Sequence, residues 1–250
     1  MTFGSTENVF ELTDAAPPVA HARNQKGRLQ RAWSRDLLVL PSEESPSAMV
    51  FQRHGAWFIE GSDGGQGSIL DGSAVLIGDD LWTLHLPEVV EPTRRRDEVA
   101  PRLHEIGLRF SVNLDEESIG LLLLGPTGPL ELRQRVHFEM LLRLGEARIA
   151  DQEAGIVVEE SGWLYVPDLL KRLDVADDPQ GRNLIHQHIF QARQQLARAG
   201  IEDAVDLIER RHTVATENAR RIGQIRIGVG RVEIVYPGRG AWQGDEGRRQ

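Results

Sequence analysis

The sequence lacks cysteine, and this absence removes several kinds of site. Its 250 residues include no thiol, so no disulfide, thiolate zinc site or cysteine nucleophile can form. Long apolar runs are also missing, because stretches such as residues 121–124 fall far below the roughly 20 residues of a membrane helix. No basic segment followed by an apolar stretch, as in a secretory signal, opens the sequence. We therefore expect a cytoplasmic protein without a membrane partner.

Signature motifs of common enzymes are absent too. The sequence contains no GxSxG elbow, no Walker loop and no HExxH motif. Gly223, Gly228 and Gly230 lie in a hairpin pattern rather than between a strand and a helix. His186 and His188 are two residues apart on a predicted helix, so they point about 200° from one another and cannot bind one ion. We therefore predict no enzyme, no cofactor and no metal site.

Charge is distributed unevenly along the chain. The net charge is −9, but residues 1–130 carry 11 basic and 19 acidic side chains, whereas residues 131–250 carry 18 and 19. Most of the excess acid therefore lies in the first half. The second half is compatible with a local positive face, although its totals do not demonstrate one.

Short apolar runs dominate the first half, with turn signals between them. Residues 54–55, 61–65, 71–72 and 78–80 are rich in glycine and aspartate, as tight turns are. Many short strands with almost no helical period predict a β-sandwich. The predicted strands are residues 36–40, 48–51, 56–59, 68–70, 74–77 and 81–86.

The order of residues from 57 to 86 resembles that of the forkhead-associated (FHA) domain. The matching stretches are Trp-Phe-Ile at 57–59, Gly-Gln-Gly-Ser at 65–68, Asp-Gly at 71–72 and Gly-Asp-Asp-Leu-Trp at 78–82. The resemblance covers roughly 60 residues and depends on the order of turns and strands. It implies a domain that binds phosphothreonine peptides through an arginine, a serine and an asparagine on its loops.

The phosphopeptide residues of the FHA family are only partly present. The family serine corresponds to Ser45 and the family asparagine to Gln66, while Arg31 is one of three candidates for the early arginine, with Arg28 and Arg35. Pro46 and Ala48 stand where the family has arginine and histidine. These departures favour a degenerate FHA-like sandwich that binds a protein partner, with phosphothreonine recognition as the alternative.

A charged, proline-punctuated connector follows the sandwich pattern. Its three consecutive arginines, 94–96, lie among Glu91, Asp97 and Glu98, so a solvated linker is the simpler interpretation and phosphate contact the alternative. We predict a flexible leader at 1–25, the sandwich at 26–90, the linker at 91–104, a second domain at 105–237 and a flexible tail at 238–250.

The second half combines strands and helices. The pattern predicts strands at 108–114, 119–124 and 130–132, a helix at 133–152, an extended stretch at 162–166 and a short helix at 167–173. A longer amphipathic helix follows at 181–199, with Gly200 as its C-cap. Residues 201–211 form another amphipathic segment, and 224–228 pair with 231–235 in a hairpin around Val229 and Gly230.

This order resembles the OmpR/PhoB-type winged helix-turn-helix, whose small N-terminal antiparallel sheet precedes three helices and a wing. The resemblance covers about residues 105–236, and the segment 201–222 is longer than the family needs. The chain also looks like bacterial proteins that join an FHA domain to a winged helix, which are regarded as transcriptional regulators. The fold class is therefore a multidomain chain with an all-β sandwich and an α+β winged helix.

The resemblance implies that residues 181–199 form a recognition helix that enters the major groove of double-stranded DNA. Arginine, glutamine and asparagine in this helix would contact bases or phosphates. Each could instead belong to an ordinary amphipathic helix; Arg193, for example, could pair with Glu202. The predicted DNA-binding residues are Arg182, Asn183, His186, Gln187, Gln191, Arg193, Gln194, Arg198, Arg221 and Arg226.

Two functions follow from this interpretation. The first is a transcriptional regulator that binds double-stranded DNA, with the FHA-like domain receiving a protein or phosphopeptide partner. The alternative is a non-enzymatic scaffold in which the winged helix docks protein, because the helix is richer in glutamine than in arginine. A homodimer is compatible with both.

Overall fold

The computed structural model of the chain describes residues 2–4, 9–11, 18–32, 37–61, 64–88, 100–113, 118–214 and 221–236. In these residues, several antiparallel sheets precede and surround a few helices. The predicted linker residues 91–99 and tail residues 238–250 lie outside the described ranges. No helix in the described part of the chain is both long and apolar enough to cross a membrane.

The described residues before the connector form ten strands. They are β1 (Thr2–Gly4), β2 (Val9–Glu11), β3 (His21–Asn24), β4 (Leu29–Arg31), β5 (Leu37–Pro41), β6 (Pro46–Arg53), β7 (Ala56–Gly61), β8 (Gln66–Ile69), β9 (Ala74–Ile77) and β10 (Asp80–His85). Strands β5 to β10 confirm the six strands predicted from the apolar runs. Between β6 and β7, His54 and Gly55 both have positive φ, which is the geometry of a two-residue hairpin turn.

Two four-stranded antiparallel sheets share one apolar core. One sheet has the order β4-β3-β10-β9 and the other the order β5-β6-β7-β8. Alternate residues of both sheets point inward, and Leu38, Val50, Trp57, Trp82 and Leu84 are among the buried members of this core. We call residues 18–88 the N-terminal unit. Its paired sheets are compatible with the predicted β-sandwich.

The prediction of an unstructured leader through residue 25 is wrong for its last residues. Strand β3 lies inside a sheet, between β4 and β10, and Ala20 and Ala22 are fully buried. Small alanines alternate there with polar residues, so the stretch has the period of a strand without the hydrophobicity that marks one. Residues 5–8 and 12–17 of the predicted leader lie outside the described part.

A second set of elements follows the connector. Its members are β11 (Gly107–Val112), β12 (Ile119–Gly125), β13 (Gly128–Leu132), α1 (His137–Glu153), β14 (Leu164–Tyr165), α2 (Val166–Arg172), α3 (Pro179–Arg198), β15 (Ile208–Val214), β16 (Arg221–Ile227) and β17 (Arg231–Val235). The three helices confirm the predicted ones to within a few residues. We call residues 100–236 the C-terminal unit; one apolar core runs through its sheets and helices.

The predicted hairpin of residues 224–228 with 231–235 is wrong. Strand β16 pairs instead with β15, and β17 crosses to the other sheet, where it runs parallel to β11. Gly228 and Gly230 do not form a hairpin turn. Glycine at position 230 instead allows two backbone segments to lie close together, because a Cβ there would be 2.4 Å from the His104 carbonyl oxygen. The segment 201–222, which is longer than the winged-helix family needs, supplies a short 3-10 turn (Ala204–Leu207) and the strand β15.

Helix α3 has clear start and stop signals. The Asp178 carboxylate accepts a hydrogen bond from the Gly181 amide at 2.7 Å, and Pro179 occupies the first turn. At the other end Gly200 has φ +87°, and the amides of Gly200 and Ile201 donate to the carbonyls of Ala197 and Leu196. This is a Schellman ending, so the predicted C-cap is confirmed.

Candidate functional site

Helix α3 has three differently occupied sides. The first side carries Ile185, Ile189, Ala192 and Leu196, which are all buried in the core of the C-terminal unit. Their spacing of three and four residues is that of one helical stripe, as the sequence predicted. This side of α3 is therefore not available to a ligand, and the other two sides remain.

The second side packs against the N-terminal unit. Phe190 is only 2% exposed and joins a cluster with Leu37, Val39, Met49 and Phe51. In β5 and β6 these residues alternate with the inward-facing ones, so they lie on the outer face of their sheet. Both faces of β5 and β6 are therefore buried, one against the second sheet and one against α3.

A carboxylate lies at the end of this apolar contact. The Glu60 carboxylate of β7 accepts hydrogen bonds from Arg193 Nη1 of α3 at 3.1 Å and from Gln66 Nε2 of β8 at 2.7 Å. Its other oxygen forms an ion pair with Arg210 Nη2 of β15 at 3.0 Å. Arg193 is completely buried and also donates to the Ile208 carbonyl oxygen at 3.1 Å. We call Glu60, Gln66, Arg193 and Arg210 the Glu60 cluster. It joins the N-terminal unit to both α3 and β15.

The charges of the cluster determine the ionisation of Glu60. Burial alone would raise the pKa of this carboxyl, but the guanidinium groups of Arg193 and Arg210, with the hydrogen bonds from Gln66 and Arg193, outweigh burial and lower the pKa to about 2. Glu60 is therefore an anion at any physiological pH. A fall in pH near neutrality therefore neither protonates Glu60 nor breaks its ion pairs.

Polar contacts flank the cluster. The Gln194 amide donates to Glu43 at 2.8 Å, and Arg198 lies 3.8 Å from the same carboxylate. On the other flank Arg53 forms an ion pair with Asp206. The contact between the two units thus has an apolar centre, a buried charged cluster and a half-exposed polar rim.

The third side of α3 faces solvent and borders a groove of about 840 Å³. The groove lies between the C-terminal half of α3 and the stretch that leads into α1. Arg133 and Arg135 on that stretch are exposed and form no ion pair with any described residue. Polar and cationic side chains dominate the lining, which comprises Ile119, Arg133, Gln134, Arg135, Val136, His137, Glu139, Gln191, Gln194, Gln195 and Arg198.

One of the residues that line the groove is a buried histidine. His137 is the first residue of α1, and its Nε2 lies 2.7 Å from Gln195 Oε1, while the Gln195 amide donates to the Arg133 carbonyl oxygen at 2.8 Å. Burial lowers the pKa of His137 to about 4; the Gln195 hydrogen bond raises it and the neighbouring His188 lowers it. This bridge fixes the position of the Arg133 backbone against α3.

Acid should therefore destabilise the fold through His137. The unfolded chain takes up a proton at the ordinary histidine pKa of 6.5, whereas the folded chain does not until about 4. The stabilisation that neutral His137 gives the folded chain is thus complete above about pH 6.5 and is lost as the pH falls towards 4. Over this range the free energy of unfolding should decrease by at most roughly 3 kcal/mol. Denaturant midpoints across this range measure the loss. His137→Gln should flatten the profile, whereas a matched change of the exposed His104 should not; equal profiles would refute the assignment.

Two arginines of the β15–β16 pair stack on an aromatic ring. The guanidinium carbons of Arg211 and Arg226 lie 4.3 and 4.5 Å from the centroid of Trp163. Arg226 also pairs with Glu209 at 2.7 Å, and Arg211 with Glu160 at 2.7 Å. Both side chains hold β16 and β15 against the residues before β14, so neither is free to reach a ligand in this arrangement.

The predicted DNA-binding residues are divided among these surroundings. Asn183 and Gln191 are exposed, Gln187 is half-buried, and the exposed Arg182 pairs with Asp177 at 2.8 Å. His186 lies 3.2 Å from Arg210, Gln194 and Arg193 face the N-terminal unit, and Arg198 borders the groove. Arg226 belongs to the Trp163 stack, and the side chain of Arg221 lies outside the described part. In this arrangement Arg193 pairs with Glu60, not with Glu202, and cannot reach a phosphate.

The predicted phosphopeptide residues are divided between the two sheets of the N-terminal unit. Ser45 lies in the turn from β5 to β6, and Gln66 begins β8 at the same end of that sheet. Arg31 lies on β4 at the edge of the other sheet, and no described hydrogen bond joins it to Ser45 or Gln66. The Gln66 amide is engaged by Glu60. Across the described residues, no three acidic or histidine side chains are grouped as a metal site would require.

Several important residues were missed by the sequence analysis. Glu60 and Phe190 join the two units, Arg210 completes the cluster, and Arg133 and Arg135 provide the cations of the groove. One signal for the contact was present: residues 37–40 are Leu-Leu-Val-Leu, and an uninterrupted apolar strand indicates burial on both faces. Nothing in the sequence pairs Glu60 with residues more than 130 positions away.

Comparison with protein-family models, with curated proteins and with solved structures finds no match for this chain. The function must therefore be argued from the geometry of α3 and of the surfaces around it.

Proposed function

We propose that the chain is a DNA-binding transcriptional regulator. Its C-terminal unit is an OmpR/PhoB-like winged helix in which α3 is the recognition helix and the β15–β16 pair is the wing. Its N-terminal unit is a degenerate FHA-like sandwich that receives a protein or peptide partner. The order of sheet, α1, β14, α2, α3 and antiparallel strand pair supports the winged-helix interpretation, and the corrected pairing of β15 with β16 removes the surplus segment before the wing.

One observation carries the proposal. The solvent-facing side of α3 presents Asn183, Gln187, Gln191 and Arg198 at intervals of one or two turns, and Arg133 and Arg135 lie across the groove beside them. Glutamine and asparagine can pair with base edges, while Arg133 and Arg135, which form no ion pair with any described residue, suit phosphates. This side remains uncovered while the N-terminal unit is docked.

The test is a titration of the full chain against a labelled duplex of about two helical turns, across a salt series. Arg133→Ala with Arg135→Ala should weaken binding at every sequence, and should reduce the slope of log affinity against log salt by about 2, because two phosphate contacts are lost. The matched control is Arg23→Ala with Arg28→Ala, which removes the same charge from exposed positions on the N-terminal unit.

The results separate clearly. The proposal requires that the wild-type chain binds at low salt and that the two double variants differ. Absence of binding at low salt, or an equal loss in both variants, would contradict it.

A second candidate function is a protein-interaction scaffold. The observation in its favour is that the second side of α3 already docks protein, with Phe190 in an apolar cluster from β5 and β6. A scaffold predicts no salt-dependent DNA binding in any variant, so the same titration discriminates between the two.

Phosphothreonine recognition is a further alternative for the N-terminal unit. Its support is limited to Ser45 and Gln66 at one end of the sheet, and Gln66 donates to Glu60. A phosphate there would have to displace that carboxylate. Titration with a phosphothreonine peptide and its unphosphorylated form tests this directly; equal affinities would exclude it.

A further inference from the structure

The Glu60 cluster places one carboxylate of the N-terminal unit against two guanidinium groups of the C-terminal unit. Arg193 belongs to α3 and Arg210 to β15, the elements proposed as recognition helix and wing. The carboxylate oxygens receive the same donors that a phosphate oxygen would receive. Glu60 therefore occupies the position of an anionic ligand of the C-terminal unit.

The same contact restricts how DNA can approach. Phe190, Arg193 and Gln194 are buried on the side of α3 that faces the N-terminal unit, and Gly64 lies against the Arg210 side chain. A duplex can then reach only the groove side of α3. It cannot touch the helix and the first strand of the wing together, as a winged helix normally would.

We infer that Arg193 and Arg210 are a second phosphate-binding site for double-stranded DNA, and that the N-terminal unit, through Glu60, competes with DNA for it. Undocking exposes both arginines, and docking covers them. The inference rests on the proposed function, because it gives a regulation to the same DNA-binding surface.

The contact has features of one that can separate. Its apolar centre is small, with Phe190 as the one buried member contributed by α3, and its rim consists of half-exposed pairs such as Arg53 with Asp206.

The experiment compares released and locked forms of the full chain. Glu60→Ala removes the competing anion and leaves two like charges facing the N-terminal unit, so it should favour the undocked form. For the locked form, the absence of cysteine allows Glu43→Cys with Gln194→Cys to be joined by a short bis-maleimide, and the same variant without the linker is its control.

Docking is measured as a distance between the two units, first without DNA and then with it. Spin labels at Arg23→Cys and Lys171→Cys, on exposed positions of the two units, report the distance between them. The distance should widen in Glu60→Ala and in the wild type on adding duplex, and it should not widen in the linked form.

Duplex binding then gives the functional result. Glu60→Ala should bind about tenfold more tightly at low salt, with a salt slope larger by about 2, because two phosphate contacts are gained. The linked form should bind more weakly than its unlinked control. If Glu60→Ala does not fold, Phe190→Ala weakens the same contact from the helix side and takes its place.

The two possible failures are distinguishable. If the released form separates but binds duplex with unchanged affinity and slope, or if the linked and unlinked forms bind equally, the inference is overturned while DNA binding stands. If neither Glu60→Ala nor Phe190→Ala changes the distance between the labels, the inference is also overturned. If no form binds duplex at low salt, the proposed function itself fails.

Discussion

Replacing Glu60 by alanine should lower the free energy of unfolding of the docked two-unit chain by about 3–5 kcal/mol. The physical reason is that the change leaves Arg193 fully buried without the carboxylate to which it donates, and removing one partner of a buried ion pair carries a penalty of this size. Chemical denaturation followed by tryptophan fluorescence measures the loss.

The pKa of Glu60 gives an independent figure. A fall from the ordinary 4.5 to about 2 in the folded chain corresponds to roughly 3 kcal/mol of stabilisation by the charged form. Because the folded pKa is lowered, this stabilisation is complete above about pH 4.5 and is lost as the pH falls towards 2. Glu60→Ala should therefore also flatten the acid limb of the stability profile below pH 4.5.

A matched control is Glu43→Ala, which removes another carboxylate from the same contact. Glu43 is half-exposed and pairs with Gln194 and Arg198 at the rim, so its loss should cost about 1 kcal/mol or less. Similar losses of unfolding free energy in the two variants would mean that the buried ion pairs of Glu60 stabilise the contact no more than the half-exposed pairs at its rim.

Phe190→Ala should cost a similar 3–5 kcal/mol, for a different reason. The ring is buried between Leu37, Val39, Met49 and Phe51, and deleting it removes apolar contacts and leaves a cavity. Phe190→Leu, which keeps most of the apolar volume, should cost clearly less. Denaturation measures both variants.

The location of the damage distinguishes this residue from an ordinary core residue. Phe190 points away from the core of the C-terminal unit, so Phe190→Ala should separate the units while helical circular dichroism is retained. Phe138→Ala, in the core of the C-terminal unit, should lose helical signal together with stability. If Phe190→Ala unfolded the helices as Phe138→Ala does, α3 would depend on the N-terminal unit, and the two units would not act separately.

Local signals predicted most elements because each depends on neighbouring residues. The strands β5 to β10 followed from apolar runs between turn residues, and α3 from its stripe and from Gly200. Strand pairing was less predictable. β16 and β17 both alternate and a glycine-rich turn separates them, yet the partner of β17 is β11, more than 100 residues earlier, and no local pattern encodes such a pairing.

The surfaces around α3 were predicted only in part. Helical spacing correctly separated the core stripe from the rest, but it could not tell a side facing solvent from one facing a second unit. Arg193 and Gln194 have the chemistry of exposed residues and are nevertheless buried, since their partners come from a distant strand, for Glu60, and a distant turn, for Glu43. The continuous apolar run of β5 was the one local sign that a second surface had to cover this sheet.

The two-sided burial of β5 and β6 also affects how the chain is made. Synthesis proceeds from the N-terminus, so the outer face of these strands is complete when Phe51 emerges, whereas Phe190 emerges roughly 140 residues later. At 5–20 residues per second this interval lasts roughly 7–28 s. During that time each ribosome carries a strand pair with Leu37, Val39, Met49 and Phe51 uncovered, and neighbouring nascent chains, rather than the finished protein, are the ones at risk of aggregating through it.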